Sequence, residues 1–110
     1  MIVRFKSKET ERIFHGQLSR HYPADIQTTA RRKLRVLDGA EQLSDLRSPP
    51  ENRLEALKGS RTGQHSIRIN DQWRICFVWH FPEVRNAEEN TDGEESQGGQ
   101  IFDVEIADYH

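Results

Sequence analysis

Apolar residues recur along the chain in two spacings, and these spacings lay out its elements. Ile2-Val3-Arg4-Phe5-Lys6 alternates apolar and basic side chains and predicts a short first strand. Lys8 to His15 predicts a short helix, with Ile13 and Phe14 turned inward and Gly16 as its stop. A connector follows at Ser19–Pro23. From Pro23 to about Leu43, Ile26, Ala30, Leu34 (or Lys33), Leu37 and Ala40 (or Glu41) recur at steps of three and four, the stripe of a long amphipathic helix. Pro23 suits its first turn, where the missing N–H is not needed, and Asp25 complements the helix dipole. Arg31, Arg32, Lys33 and Arg35 fall on its other faces. Ser44–Pro50 predicts a loop, because Ser48-Pro49-Pro50 excludes regular helix.

Beyond Arg53 the period shortens. Arg53–Lys58 fits a short strand or an extended edge, and Gly59–Gly63 a polar loop. His65-Ser66-Ile67-Arg68-Ile69 alternates as a strand, and Asn70-Asp71-Gln72 turns the chain. The run Trp73–Trp79 is rich in residues that suit a pleated, half-buried surface. In it Trp73, Ile75, Phe77 and Trp79 alternate with Arg74, Cys76, Val78 and His80. A hairpin follows, with Ile67 and Ile69 as cross-strand partners of Trp73, Ile75 or Phe77. Gln100–Tyr109 resumes strand character through Ile101, Phe102, Val104 and Ile106. A short first strand, two helices and then a run of strands make this an α+β chain.

With 110 residues, 34% of them hydrophobic, the chain suits one domain, 1–110, with one modest core. No stretch approaches the ~20 apolar residues that span a bilayer, and the first residues lack the apolar core of a signal peptide. Cys76 is the only cysteine, so it forms no internal disulfide, and its place in a strand reads as a small core residue. These features point to the cytoplasm.

The net charge of −2 conceals a segregation. Residues 1–80 carry 15 Lys/Arg against 9 Asp/Glu, whereas 81–110 carry one Arg against 9 Asp/Glu. A basic body suits a polyanion such as RNA, and the basic helix face is either a solvated surface or a contact with RNA or an acidic partner. Phe81–Gln100 holds Glu83, Glu88, Glu89, Asp92, Glu94 and Glu95 with hardly an apolar side chain. Such a stretch does not offset its own ordering entropy and reads as a long acidic loop between the last two strands.

Arg74 is a permanent cation on an otherwise mainly apolar strand, which is a sensible place for a group that binds an anion. The bland alternative is a pairing with Asp103 or Glu105. If the last three strands form one antiparallel sheet, Arg74 converges with Glu55, Lys58 and the terminal Asp108-Tyr109-His110. Those groups are what RNA cleavage by its own 2′-hydroxyl needs: a base, cations for the phosphorane and an acid for the leaving oxygen. An aromatic ring can also hold an unstacked base. No metal is required, and His15, His21 and His80 lack metal-ligand spacing.

Three blocks resemble one family. They are Arg53-Leu54-x-x-Leu57-Lys58-Gly59, then Ser66-Ile67-x-Ile69-Asn70-x-x-Trp73-Arg74-Ile75-x-Phe77, and the terminal Asp108-Tyr109-His110. With Ile2-x-x-Phe5-Lys6-x-Lys8 and Leu37-Asp38, the pattern resembles the HigB-type toxins of the RelE-like toxin–antitoxin superfamily, over nearly the whole chain except the acidic stretch. The resemblance implies two helices packed on a twisted antiparallel sheet. It implies an mRNA endoribonuclease acting at the ribosomal A site without a cofactor. It further implies a helix-turn-helix, HigA-like antitoxin through which the pair reaches its operator DNA. By position, Lys58 and Arg74 match the family's basic active-site residues, and Asp108, Tyr109 and His110 match its terminal triplet. Arg53, Arg61 and Arg68, with Lys58, are the candidate RNA contacts. Three departures stand out. Glu55 occupies the place where the family usually has histidine, which leaves a catalytically weakened, binding-only member as the alternative. The acidic stretch replaces a short turn, and His65 stands where a tryptophan is common.

Overall fold

The computed structural model describes residues 1–80 and 99–108. Helix α1 spans Lys8–Phe14 and α2 spans Ala24–Gly39. Strands β1 (Glu55–Ala56), β2 (His65–Arg68), β3 (Trp73–His80) and β4 (Gln100–Asp108) form one antiparallel sheet in the order β1-β2-β3-β4. The two helices cover one face of it, the α+β arrangement expected.

Local chemistry explains the helices. The Ser7 hydroxyl accepts the Thr10 amide at 3.1 Å and caps α1. Gly16 takes φ +87° and ends it, as its position suggested. In α2 the stripe Ile26, Ala30, Leu34 and Leu37 is buried against the sheet. The helix stops at Gly39 rather than near Leu43. The Asp45 carboxylate takes the amides of Glu41 and Gln42 at 3.0 and 3.1 Å and offers the backbone an alternative to helix. A 3-10 turn over Leu43–Arg47 follows, and a second over Pro50–Asn52, where a plain loop was expected. Lys33, named both as the stripe's alternative to Leu34 and with the basic cluster, takes the inward place. It is buried, not on the basic surface, and its ammonium donates to the Asn52 side chain.

The hairpin register pairs Ile67 with Ile75 and His65 with Phe77. Ile106 lies opposite Ile75 on β4. Ile67, Ile75 and Ile106, with Phe77, Ile101 and Val104, meet the α2 stripe and Ile13 to form the core. Ile101 and Val104 are three residues apart, an odd spacing that strict alternation sends to opposite faces. The ladder resolves this with a bulge: the register shifts between Cys76 and Val78, and Asp103 takes φ 56°. The acidic stretch lies outside the described residues except for Gly99, buried beside the Trp79 ring, and Gln100, which opens β4.

The outer edge of β4 is covered. The first residues form no full strand but two parallel bridges, Ile2 with Ile101 and Phe5 with Val104. Farther along, the Ile106 amide donates to Thr10 Oγ1 at 3.0 Å and its carbonyl accepts from Tyr22 Oη at 3.2 Å. The two hydroxyls lie 3.3 Å apart and close the ring. An otherwise exposed strand edge is thus satisfied by α1 and the connector.

Candidate active site

The sheet face away from the helices carries the candidate chemistry. In β3 the pleat sends Ile75 and Phe77 to the core and Arg74 and Cys76 to this opposite face. Opposite them on β2 stand Arg68 and Ser66, and opposite Cys76 on β4 stands Glu105.

Arg74 is the most enclosed cation among the described residues, only 5% exposed. Its Nε donates to the buried Ser66 hydroxyl at 2.7 Å, and its Nη2 donates to the Arg53 carbonyl at 2.7 Å. That carbonyl faces the guanidinium because Arg53 adopts the left-handed region, φ 47°, at the end of the Pro50–Asn52 turn. The Glu55 carboxylate lies 3.8 Å from the same Nη2, and its side chain is about half exposed. The arginine is therefore fixed from the β2 side and from the segment that leads into β1. Asp103 and Glu105, the bland partners considered for Arg74, make other pairs. Asp103 holds Arg4 at 2.9 Å, while Glu105 holds Arg61 at 3.1 Å and Lys6 at 3.7 Å.

Lys58 is exposed and lies two residues past the end of β1. With Glu55, Ala56, Leu57 and Arg61 it lines a hollow of about 510 Å³ beside the sheet. Arg61 is half-buried and braced by Gln64 at 2.9 Å as well as by Glu105. Arg68 sits next to Arg74 across the ladder and is paired with Asp71 at the turn. The Arg53 side chain is exposed. The structure thus brings Glu55, Arg74 and Arg68 onto one face, with Lys58 and Arg61 at its β1 end. A separate hollow of about 460 Å³ between α1 and α2, walled by Arg31, Arg32 and Arg35, contains none of the candidate residues.

Asp108 ends β4 opposite Trp73, so its register is with the helix-side residues, and it accepts from Gln72 Nε2 at 3.2 Å. Tyr109 and His110 lie outside the described residues. Burial pushes the Cys76 thiol above its ordinary pKa, which fits an inert buried residue on the face away from the helices and not a nucleophile. Ser66 and the Arg53 carbonyl were not singled out by residue type. The signal available was the alternation of β2, which places Ser66 on the face of Arg74.

Comparisons with known proteins identify the family. Residues 3–90 match the family described as the RelE-like toxin of the type II toxin–antitoxin system HigB. The chain is similar to Toxin HigB-1 of Vibrio cholerae serotype O1, at 43% identity over 81 residues, covering 72% of this chain and 84% of that toxin. It is also 35% identical over 72 residues to an uncharacterized protein of Haemophilus influenzae, covering 66% of this chain and 71% of that protein. The chain belongs to the HigB toxins, RelE-like members of type II toxin–antitoxin systems, and so has an antitoxin as its partner.

Proposed function

We propose that this toxin is a ribosome-dependent mRNA endoribonuclease that inhibits translation by making the message attack itself through a 2′-hydroxyl. Endoribonuclease activity is a known property of RelE-like toxins. The observation that carries the reading here is the Arg74 guanidinium, buried on the sheet face away from the helices, oriented by Ser66 and the Arg53 carbonyl, and faced by Glu55 at 3.8 Å.

In the proposed reaction Glu55 removes the 2′-OH proton. The 2′-oxygen attacks phosphorus, and Arg74, with Lys58 arriving from the β1 end, stabilises the charge that builds on the phosphorane oxygens. An acid protonates the 5′-oxygen as its bond to phosphorus breaks, leaving a 2′,3′-cyclic phosphate and a 5′-hydroxyl. His110 is assigned that proton by its match to the family's terminal residues, and Tyr109 the stacking of a base. Asp108, which accepts from Gln72 at the strand end, shares the proton transfers with Glu55 and His110. Arg53, Arg61 and Arg68 hold the RNA backbone. No metal or cofactor enters this scheme. The toxin works in the cytoplasm, and it reaches operator DNA only through a HigA-like helix-turn-helix antitoxin.

One observation favours a second reading. Glu55, in the place usual for histidine, lies within ion-pair reach of Arg74, and such a pair ties up the phosphate ligand. In that reading the toxin binds antitoxin or ribosome and does not cut. Controlled expression with 5′-end mapping of translated messages separates the two. Ends in register with codons, absent with Arg74→Ala, support the nuclease. Intact antitoxin binding without new ends supports the second reading.

A further inference from the structure

The Arg74 guanidinium depends on a backbone carbonyl, and the position of that carbonyl has an internal cause. Asn52, the residue before Arg53, is 2% exposed and fully paired. Its Oδ1 accepts from the Lys33 ammonium, and its Nδ2 donates to the carbonyls of Leu46 at 3.1 Å and Ser48 at 3.3 Å. A short apolar residue fills such a space as well, so packing alone does not call for an amide. The amide ties three separate segments together: α2 through Lys33, the first 3-10 turn through Leu46, and the prolyl segment through Ser48. Directly after this knot Arg53 adopts φ 47°, uncommon for a residue with a side chain, and turns its carbonyl to Arg74. Two residues later comes Glu55. Two of the described contacts of the guanidinium therefore come from a segment whose start is pinned by Asn52.

We infer that Asn52, held by Lys33 from the helix layer, is a positioning residue that sets the plane of the Arg74 fork and the place of Glu55. A planar fork recognises phosphate by direction as well as by charge, so a tilt weakens it without removing the cation. The inference rests on the reading of Arg74 as the phosphate ligand.

The test uses the full chain with Asn52→Ala and with Lys33→Met, which removes the ammonium and keeps most of the apolar stem. The first readout is the 1H–15N resonance of Arg74 Nε–H, assigned by its loss in Arg74→Lys. It is expected to shift or broaden in both variants. The second is single-turnover cleavage of a ribosome-bound message. The rate at saturating ribosome is expected to fall about 10- to 100-fold, in line with small misplacements of catalytic groups. The half-saturating ribosome concentration should stay within about twofold, and Asn52→Ala should cause little further loss in an Arg74→Lys background. Should Asn52→Ala fail to fold, judged by circular dichroism and antitoxin binding, Lys33→Met carries the same readouts. An unmoved resonance overturns the inference. So does an equal loss on adding Asn52→Ala to the wild-type and Arg74→Lys chains, which is the mark of mere destabilisation. Wild-type cleavage by Arg74→Lys and Arg74→Ala, together with a shifted resonance in Asn52→Ala, sinks the phosphate-ligand reading and leaves the positioning of the side chain in place.

Discussion

Replacing Ser66 by alanine tests how the sheet tolerates a nearly buried guanidinium. Ser66 is fully buried, and its hydroxyl accepts the Nε–H of Arg74 at 2.7 Å, a short and well-placed bond to a charged donor. Alanine removes one oxygen and leaves the rest of the strand alone, so the void is small. The loss is mainly electrostatic: a hydrogen bond to a charged group contributes about 1.5–3 kcal/mol, and a buried donor left unpaired forfeits a similar amount. The Arg53 carbonyl still holds Nη2 at 2.7 Å, so the side chain stays partly anchored. An expected destabilisation of about 2 kcal/mol follows. That is a large share of the 5–15 kcal/mol typical of a whole domain. With a urea slope of about 1–3 kcal/mol per molar, the unfolding midpoint falls by roughly 1 M. Trp73, next to Arg74, and Trp79 supply the fluorescence signal. The same substitution in an Arg74→Met chain should be nearly neutral, since the donor is gone. A cost below about 0.5 kcal/mol in the wild-type chain, or an undiminished cost in the Arg74→Met chain, refutes the reasoning.

Three further outcomes are expected. Tyr22→Phe breaks the ring that satisfies Ile106 at the sheet edge; it should lower stability by about 1–2 kcal/mol and speed hydrogen exchange at the Ile106 amide, and unchanged exchange there contradicts it. Gly99→Ala places a Cβ about 2.2 Å from Cε2 of Trp79, so ring or strand must move; a loss of about 1–3 kcal/mol with a red-shifted tryptophan emission is expected, and a silent substitution argues against the close approach. His65 has its pKa lowered by burial, so below its ordinary 6.5 the unfolded chain takes up the proton before the folded one does. Stability from this group is therefore full above pH 6.5 and lost as pH falls toward and through the lower folded value. His65→Phe should flatten that part of the stability profile in urea titrations between about pH 5 and 7, and identical slopes for the two proteins contradict the assignment.

The parts of the fold legible in sequence were those carried by period. The alternation of β2 and β3 yielded the hairpin and a short set of cross-strand partners, of which the structure pairs Ile67 with Ile75. The stripe Ile26-Ala30-Leu34-Leu37 yielded α2 and its buried face. What escaped was set by contacts distant in sequence. Lys33 reads as part of a basic surface, yet Asn52 meets its ammonium from the far side of two 3-10 turns. The end of α2 depends on one carboxylate, Asp45, competing for two amides. The bulge in β4 was visible only as the odd step from Ile101 to Val104. At the site, Arg74 stood out because a charge in an apolar strand needs a reason. Ser66 and the Arg53 carbonyl did not, since one resembles any small polar strand residue and the other is backbone.

The central claim is that Arg74 stabilises the phosphate during cleavage of a ribosome-bound message. Single-turnover cleavage in a purified translation system, comparing the wild-type chain with Arg74→Ala, tests it most directly, with antitoxin binding as the measure of folding. Loss of one preorganised donor to developing charge reduces rates about 10²- to 10³-fold. A loss of that size with antitoxin binding retained is the result expected. Equal cleavage by the two chains contradicts the account.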